Sequence, residues 1–339
     1  MTRPGGRRTT LEDVAARTGL SRATVSRVVN GSPRVSEAAR TRVEAAVAEL
    51  GFAPNRAART LAGRRSETVA LVVSEPSVRL FAEPFFAGTT LGVAAALATT
   101  PYQLVLVMVQ DGGDRDRVEG HLLRGGADGA LVLPAQADDP LAGRLAAAGI
   151  ACVVAGRPAA GARVGFVDAD NVGGARQGVS HLLAAGRRIV GTVAGPTGMV
   201  PGADRRTGWE QALRGAGRRP DARLVAVGDF SRAGGAAATA ALLDRLPDLD
   251  GLFVASDLMA LGALDALRAA GRRVPDDVAV VGFDDSELAR SADPPLTTVR
   301  QPIEQLGRTL VELLLDQLDR DAPPAGVILR TDLVVRASA

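Results

Sequence analysis

Residues 10–30 read TLEDVAARTGLSRATVSRVVN, and this stretch has the pattern of two short helices joined by a tight turn. Thr10 is a residue type that caps helix N-termini, and the two acidic residues after it favour the positive end of the helix dipole. Gly19 breaks that helix, and Ser21 is placed to cap the next one. Two short helices with a glycine in the connecting turn predict a helix-turn-helix unit.

The second predicted helix, which begins at Arg22, has two unlike faces. At about 100° per residue, its small, polar and cationic side chains share one arc: Arg22, Ala23, Ser26, Arg27 and Asn30. The opposite side carries the valines: Val25, Val28 and Val29. A narrow face with two arginines suits the major groove of DNA, where arginine bonds the acceptors of guanine. An ordinary amphipathic surface helix is the alternative that this pattern alone leaves open.

The charge distribution and the next segments favour the DNA-binding interpretation. Residues 1–65 hold 13 arginines against 5 acidic residues, whereas the rest of the chain holds 27 against 33. A basic segment on a mildly acidic body indicates a polyanionic partner for that segment. Ser36 is expected to cap a third helix that ends at Gly51. Residues 55–63, NRAARTLAG, are too short to hold a helix alone in water, and they present Leu61 without an obvious core.

The remaining 273 residues, 67–339, have a different pattern. Apolar runs typical of buried parallel strands alternate with helical stretches. These runs lie at 69–73, 104–109, 129–133, 151–154, 164–167, 189–194, 224–227, 251–255 and 278–283. Nine strands are more than a single sheet of this core would hold, so we predict an α/β core of two similar lobes with parallel sheets. Ligands bind at the carboxyl ends of such strands, which places the expected site in the cleft between the lobes.

Cysteine content and hydropathy predict the compartment. Cys152 is the only cysteine, so an intramolecular disulfide is impossible. No apolar run follows the basic start of the chain, and no stretch reaches the roughly 18–20 apolar residues that a membrane span needs. We therefore expect a cytoplasmic protein without a membrane partner.

Several motifs of the chain closely resemble the lactose-repressor (LacI) family of bacterial transcription factors. They are TLEDVAARTGLSRATVSRVVNG (10–31), VSEAARTRVEAAVAELGFAPNRAARTLAGRRS (35–66), DADN (168–171), RRTGW (205–209), VVGFDD (280–285) and PPLTTVRQP (294–302). The resemblance runs from Thr10 to about Val335. It implies that Arg22, Ala23 and Arg27 read bases in the major groove. It implies phosphate contacts for Thr10, Ser21, Thr24, Ser26 and Asn30, and minor-groove contacts of a hinge helix for Asn55, Ala58 and Leu61.

The family's core looks like a periplasmic sugar-binding protein, and the resemblance assigns effector contacts in its cleft. These contacts are Arg205, Asp284, Phe230, Ser256 and Asp170. The chemistry agrees, since a carboxylate after a strand accepts bonds from vicinal hydroxyls and an arginine offers a rigid fork of donors. A turn or helix cap at Asp284, and a plain core role for Phe230, are the alternatives. Where many members have an acidic residue after the fourth strand, this chain reads Ala155-Gly156-Arg157-Pro158, so the effector's identity does not transfer.

The expected domain organisation has three parts. Residues 1–51 form an all-α helix-turn-helix headpiece, 52–66 a hinge helix and linker, and 67–339 the effector-binding and dimerisation core. The first lobe is expected at about 67–168 and 294–326, and the second at about 169–293 and 327–339. These bounds place the crossovers near Asp168, Pro294 and Gly326, as the resemblance implies.

Together these features predict a sequence-specific DNA-binding transcriptional regulator, a repressor controlled by a small-molecule effector, with a sugar favoured. The family and the need to read two half-sites predict a homodimer on a palindromic operator. A periplasmic-type sugar receptor without DNA function is the alternative. An enzyme is disfavoured, because the sequence has no GxSxG, no GxxxxGK[ST] and no metal-ligand spacing, and His121, His181 and Cys152 are expected to be structural or at the surface. We expect no cofactor and no metal.

Overall fold

The chain divides into two units, Met1–Ser66 and Glu67–Ala339. The computed structural model describes residues 9–29, 32, 34–52, 65–75, 80, 82–134, 139–158 and 161–339. Among these residues no helix is both long and apolar enough to cross a membrane.

The first unit contains the predicted helix-turn-helix. Its helices are α1 (Leu11–Thr18), α2 (Arg22–Val29) and α3 (Glu37–Leu50). Thr10 and Asp13 form a capping box at the start of α1, and Gly19 ends that helix in the left-handed conformation that glycine tolerates. The Ser21 hydroxyl accepts from the Thr24 amide at 3.1 Å, so the predicted cap of α2 is confirmed.

A small apolar core joins these three helices. Val14, Val25, Val28, Val43 and Phe52 are its largest buried members. Val25 and Val28 of α2 therefore face inward with Val29 packed beside them, as the helical periodicity predicted, and Arg22, Ala23 and Arg27 face solvent.

The second unit has two lobes, each built on a six-stranded sheet. The first sheet has the order β11-β5-β4-β3-β1-β2, and all its strands run parallel. Its strands are β1 (Thr68–Val73), β2 (Gln103–Met108), β3 (Gly129–Leu133), β4 (Ala151–Ala155), β5 (Gly165–Ala169) and β11 (Gly326–Leu329). Its helices are α4 (Pro84–Leu97), α5 (Gly112–Leu123), α6 (Leu141–Ala147) and α12 (Ile303–Arg320). Helices cover both faces, which explains the unbroken valine runs.

The second lobe repeats this plan. Its sheet has the order β12-β10-β9-β8-β6-β7, in which only β12 runs antiparallel. The strands are β6 (Val190–Ala194), β7 (Val225–Val227), β8 (Gly251–Val254), β9 (Ala279–Asp284), β10 (Thr297–Arg300) and β12 (Asp332–Val334). The helices are α7 (Asn171–Ala184), α8 (Val200–Gly215), α9 (Arg232–Arg245), α10 (Asp257–Ala269) and α11 (Glu287–Arg290).

The lobe boundaries differ from the predicted ones at two of the three crossovers. Strand β10 pairs with β9, so the chain returns to the first lobe after Arg300 rather than at Pro294. Strand β11 pairs with β5, so residues 327–329 belong to the first lobe and the last crossover follows them. The proline pair at 294–295 precedes a strand that completes the second sheet. The prediction of a crossover at Pro294 was therefore wrong, because the two prolines mark a turn before β10 and not a change of lobe.

Glycines allow two helices of the first lobe to cross closely. A Cβ at Gly92 on α4 would lie 2.1 Å from the carbonyl oxygen of Glu304, and a Cβ at Gly307 on α12 would lie 2.3 Å from that of Thr89. Both contacts are with backbone, which cannot rotate away. Helices α4 and α12 must therefore separate if either glycine gains a side chain.

This packing makes the Gly307→Ala variant a stability test. We expect it to lower the free energy of unfolding of the core by about 1–3 kcal/mol, the usual cost of overpacking. The matched control is Gly143→Ala on α6, where an added Cβ meets no atom within 4 Å. That control should be stabilised by roughly 0.5–1 kcal/mol, since alanine is the better helix former. Urea denaturation of both variants measures the difference, and equal stabilities would contradict the close crossing.

Candidate functional sites

The exposed face of α2 carries the residues predicted to read bases. Arg22, Ala23 and Arg27 are exposed there, whereas Thr24 and Ser26 are half-buried at its edge. The guanidinium of Arg22 pairs with Glu12 at 2.8 Å, but the two side chains are 70% and 58% exposed. An ion pair in such contact with water contributes little. Arg22 can therefore exchange Glu12 for another acceptor at small cost.

The hydroxyls predicted to contact phosphates also serve the helix starts. Thr10 donates to the Asp13 carboxylate at 2.8 Å, and the Ser21 and Thr24 hydroxyls lie 2.9 Å apart. They mark the N-termini of α1 and α2, where the helix dipole favours an anion. The predicted contacts Asn30, Asn55, Ala58 and Leu61 lie outside the described residues.

In the second unit, a cavity lies between the two lobes at the carboxyl ends of strands of both sheets. Its empty volume is about 560 Å³, including solvent at its mouth. Both lobes line it: Glu83, Phe85, Phe86, Pro134, Ala155, Gly156, Asp168 and Leu306 come from the first, and Asn171, Met199, Pro201, Arg205, Phe230 and Asp284 from the second, with Gln301 at a crossover. Carboxylates, one arginine and aromatic rings from both lobes thus line one cavity.

Arg205 on α8 is the buried cation of this cavity. Its Nε donates to the Asn171 side-chain oxygen at 2.9 Å, and its Nη1 donates to the Ala255 carbonyl at 2.5 Å. The guanidinium lies 3.7 Å from the centroid of the Phe283 ring, and Nη1 lies 3.7 Å from Oδ1 of Asp284. Burial lowers the pKa of Arg205, against the opposing effect of Asp284. The side chain is thus fixed on several sides before any ligand arrives.

Asp284 ends strand β9 in an unusual backbone conformation. Its φ is 120° and that of Asp285 is 54°, values that residues other than glycine rarely adopt. Its Oδ1 accepts from Nε2 of Gln301 at 2.6 Å. Burial raises the pKa of Asp284 well above its ordinary value, and although Arg205 opposes this, Asp257 and Glu83 add to the rise. Strained backbone of this kind clusters at functional sites.

The neighbours of Asp284 hold this turn in place. Asp285 accepts from Nε of Arg300 at 2.6 Å and from Nη2 of Arg336 at 2.5 Å. Burial would raise the pKa of Asp285, but the hydrogen bonds from Arg336 and Arg300 outweigh it and lower the pKa. Asp257 accepts from the amide and hydroxyl of Ser286 at 2.8 and 3.0 Å. These hydrogen bonds hold the two residues that follow Asp284 and so stabilise the turn that carries its carboxylate.

Asp168 and Asn171 connect the first lobe to Arg205. Oδ1 of Asp168 accepts from the Asn171 amide at 3.0 Å, and Asn171 in turn accepts from Arg205. Burial raises the pKa of Asp168 to about 6, against the opposing effect of Arg157. A polar chain thus runs from Asp168 through Asn171 and Arg205 to Asp284, across the crossover between the lobes.

The structure brings together three of the five predicted effector residues. Arg205, Asp284 and Phe230 line the same cavity, and the Phe230 ring lies where a Cβ on Gly195 would be only 2.3 Å from it. Ser256 and Asp170 are instead N-cap residues of α10 and α7, accepting from the Met259 and Gly173 amides at 3.3 and 2.8 Å. Neither belongs to the cavity lining described above.

Sequence reasoning missed the residues that flank Asp170. In DADN, Asp168 still belongs to strand β5 and Asn171 begins α7, and both line the cavity. The motif itself was the available signal, but only the register of the strand end shows which of its members face the cleft. Within the described residues, no group of three or more His, Cys, Asp or Glu side chains is arranged to hold a metal.

Comparison with known proteins identifies both units. Residues 10–55 match the family described as bacterial regulatory proteins, lacI family, and residues 179–339 match the periplasmic binding protein-like domain. The HTH-type transcriptional regulator CelR of Thermobifida fusca is 50% identical over 335 residues, which cover 98% of each chain.

Two solved structures extend the likeness over nearly the whole chain. A complex of the transcriptional regulator CelR with cellobiose is 48% identical, with a TM-score of 0.79 over 98% of this chain and 100% of that one. The lac repressor dimer bound to operator and the anti-inducer ONPF is 31% identical, with a TM-score of 0.85 over 98% and 99%.

The raised pKa of Asp168 predicts how stability changes with pH. Because the carboxyl holds its proton up to a pKa of about 6 in the folded protein, against an ordinary 3.8, folding favours the protonated form. The parent protein should therefore lose stability relative to Asp168→Asn as the pH rises through this window, by about 3 kcal/mol at 1.36 kcal/mol per pKa unit. Urea denaturation at a series of pH values measures this. A stability difference that does not vary with pH would contradict the assignment.

Proposed function

The chain belongs to the lacI family of bacterial regulatory proteins, and on this premise we propose which of its residues perform the family's function. It is a DNA-binding transcriptional regulator. In our proposal it is a repressor, α2 reads the operator through Arg22, Ala23 and Arg27, and a sugar bound between the lobes sets operator affinity. A homodimer then places two copies of α2 on the half-sites of a palindromic operator. Acting on operator DNA, it works in the cytoplasm.

The observation that carries the DNA-binding part is the separation of the two faces of α2. Val25 and Val28 are buried, while Arg22 and Arg27 are exposed beside small side chains that let the helix approach the base edges. Residues 1–51 are the proposed headpiece and 52–66 the proposed hinge. Asn55, Ala58 and Leu61 enter this proposal through the family resemblance alone.

The observation that carries the ligand-binding part is the chain of polar groups from Asp168 to Asp284. Carboxylates that accept, a guanidinium that donates and aromatic rings beside them are suited to the hydroxyls and apolar faces of a sugar. A similar regulator has been solved with cellobiose. We propose a cellobiose-like disaccharide as the effector, with the polar groups of the cavity contacting its hydroxyls.

The rival classes lack such support. A receptor without DNA function gives no role to the exposed arginines of α2. For an enzyme, Cys152 would be the candidate nucleophile. It is buried on β4, and burial raises the pKa of its thiol to about 12, which is the reverse of activation. The similar proteins are transcriptional regulators, and our proposal assigns no catalytic step.

The first test concerns base recognition. A preferred site is selected from random duplexes with the parent protein, and Arg22→Ala is titrated on that site and on a random duplex at one salt concentration. We expect a loss of about 1–3 kcal/mol on the selected site and little change on the random duplex, because a base contact adds to specific affinity only.

The matched control for this test is Arg17→Ala. Arg17 is also exposed and also paired with a glutamate, Glu49, but it lies on α1. Arg17→Ala removes the same charge as Arg22→Ala, and we expect it to change the affinity for both duplexes to the same extent. Equal losses on both duplexes for Arg22→Ala would instead make Arg22 a phosphate contact, and no selectable site at all would favour the receptor class.

The second test concerns the cavity. Calorimetry should detect cellobiose binding to the parent, and Asp284→Asn should weaken it tenfold or more, since a hydrogen bond to a charged group is worth roughly 1.5–3 kcal/mol. Asparagine is, like aspartate, among the residues that tolerate positive φ, so the turn is kept. Asp221→Asn, an exposed carboxylate paired only locally with Arg223, serves as the control. Unchanged affinity in Asp284→Asn would remove Asp284 from the site, and binding of a nucleoside in place of cellobiose would correct the ligand class.

A further inference from the structure

Arg157 follows strand β4 in the segment Ala155-Gly156-Arg157-Pro158, where many members of the family have an acidic residue. Its neighbours Ala155 and Gly156 line the cavity. Gly156 has a φ of 98°, and its amide donates to the Val167 carbonyl at 2.7 Å. This glycine turn directs the chain beside β5, so that Arg157 lies next to the end of that strand.

The guanidinium of Arg157 contacts carboxylates from both lobes. Within the first lobe, its Nη1 lies 3.4 Å from Oδ2 of Asp168. Its Nη2 forms a hydrogen-bonded ion pair with Asp204, which lies on α8 of the second lobe. Arg157 therefore bridges the cleft at one edge of the cavity.

Both carboxylates are close to groups that line the cavity. Asp168 is itself in the lining, and Asp204 immediately precedes Arg205 on α8. The side chains of Asp168 and Asp204 are only 5% and 14% exposed, while that of Arg157 is 40% exposed. Because the carboxylates of this ion pair are shielded from water, the pair is screened less than a surface pair. Its removal therefore costs more free energy than the removal of a surface pair.

We propose that Arg157 is a positioning residue of the ligand site, which joins the first lobe to the second through Asp204 while it holds the cavity carboxylate Asp168. The proposal rests on the proposed function of the cavity, but its cross-lobe contact is present whichever ligand binds. Without Arg157, Asp168 and Asp204 face each other without this shared cation and repel. The cleft then opens more readily, and a ligand that needs the closed cleft binds more weakly.

The test compares full-length protein with Arg157→Gln, Asp204→Asn and the double variant, titrated with cellobiose by calorimetry. Each single variant should weaken binding by roughly three- to tenfold. The double variant should lose less than the product of the two single losses, because both remove the same contact. If the two residues instead acted independently, the loss of affinity in the double variant would equal the product of the two single losses.

The matched control is Glu210→Gln, six residues after Asp204 on α8. Glu210 pairs with Arg206 and Arg214 on its own helix, so its removal breaks ion pairs without touching the other lobe. Paired with Arg157→Gln, it should show no coupling. Coupling of similar size in this control would overturn the assignment of a specific contact.

Hydrogen exchange of the unliganded proteins separates this proposal from that of the ligand. In Asp204→Asn, amides of residues 151–158 and 199–206, on the two sides of the cleft, should exchange roughly three- to tenfold faster than in the parent and in Glu210→Gln. If the parent does not bind cellobiose, the proposal of a cellobiose-like effector is wrong. The exchange result alone then tests whether Arg157 joins the two lobes. Exchange that is unchanged on both sides in Asp204→Asn would overturn the bridge, whatever the ligand.

Discussion

The arrangement of the proposed ligand site depends on the burial of one guanidinium. Arg205 lies with its charge removed from water between the lobes, and a buried charge is destabilising unless it is paired and hydrogen-bonded. Asn171, the Ala255 carbonyl, the Phe283 ring and Asp284 supply these contacts. They come from α7, the end of β8 and the end of β9, so a single cation fixes how three elements of the second lobe meet.

This requirement explains the strained turn that follows β9. For Asp284 to approach Arg205, the backbone takes positive φ at two successive aspartates. Such a conformation persists only where the surroundings over-determine it. Here Asp285 is held by Arg300 and Arg336, and Asp257 holds Ser286 and Thr298, the latter at 2.6 Å. Strand β10 and the C-terminal segment thus contribute to the site without lining it.

Sequence patterns predicted the parts of the fold that burial dictates. Nine strands were predicted from their apolar runs, most of which are buried, although the edge strands β2 and β7 are partly exposed. The caps at Thr10, Ser21 and Ser36 followed from residue type. Strands β10 and β12 were missed because they are only four and three residues long and carry threonine, arginine or aspartate among their apolar residues. Strand β11 reads GVIL, and its four residues were too short a run to be recognised. Their omission also misplaced two of the lobe crossovers.

The site was predictable only where chemistry and family resemblance agreed. The resemblance assigned Arg205, Asp284 and Phe230, and their chemistry agreed with it, since the carboxylate ends a strand, the aromatic ring follows one and the arginine lies on α8. The sequence did not distinguish Asp168 from Asp170. The first lies near the end of a strand at the cleft, and the second caps a helix. That distinction depends on where β5 stops, and a period-two pattern leaves strand ends undefined by a residue or two.

The balance of charge around the cavity bears on what it can accept. Asp168, Asp204, Asp284 and Glu83 lie at or beside it, against the cations Arg157 and Arg205, and these two cations are already engaged with carboxylates or carbonyl oxygens. An anionic ligand would have to displace a carboxylate from an arginine and remain among the others, and like charges that meet in a partly dry site are costly. An uncharged polyol meets no such penalty, because its hydroxyls donate to carboxylate oxygens and accept from guanidinium N–H groups. The charged groups around the cavity therefore favour a neutral, hydroxyl-rich ligand over an anion, an argument that does not depend on likeness to other regulators.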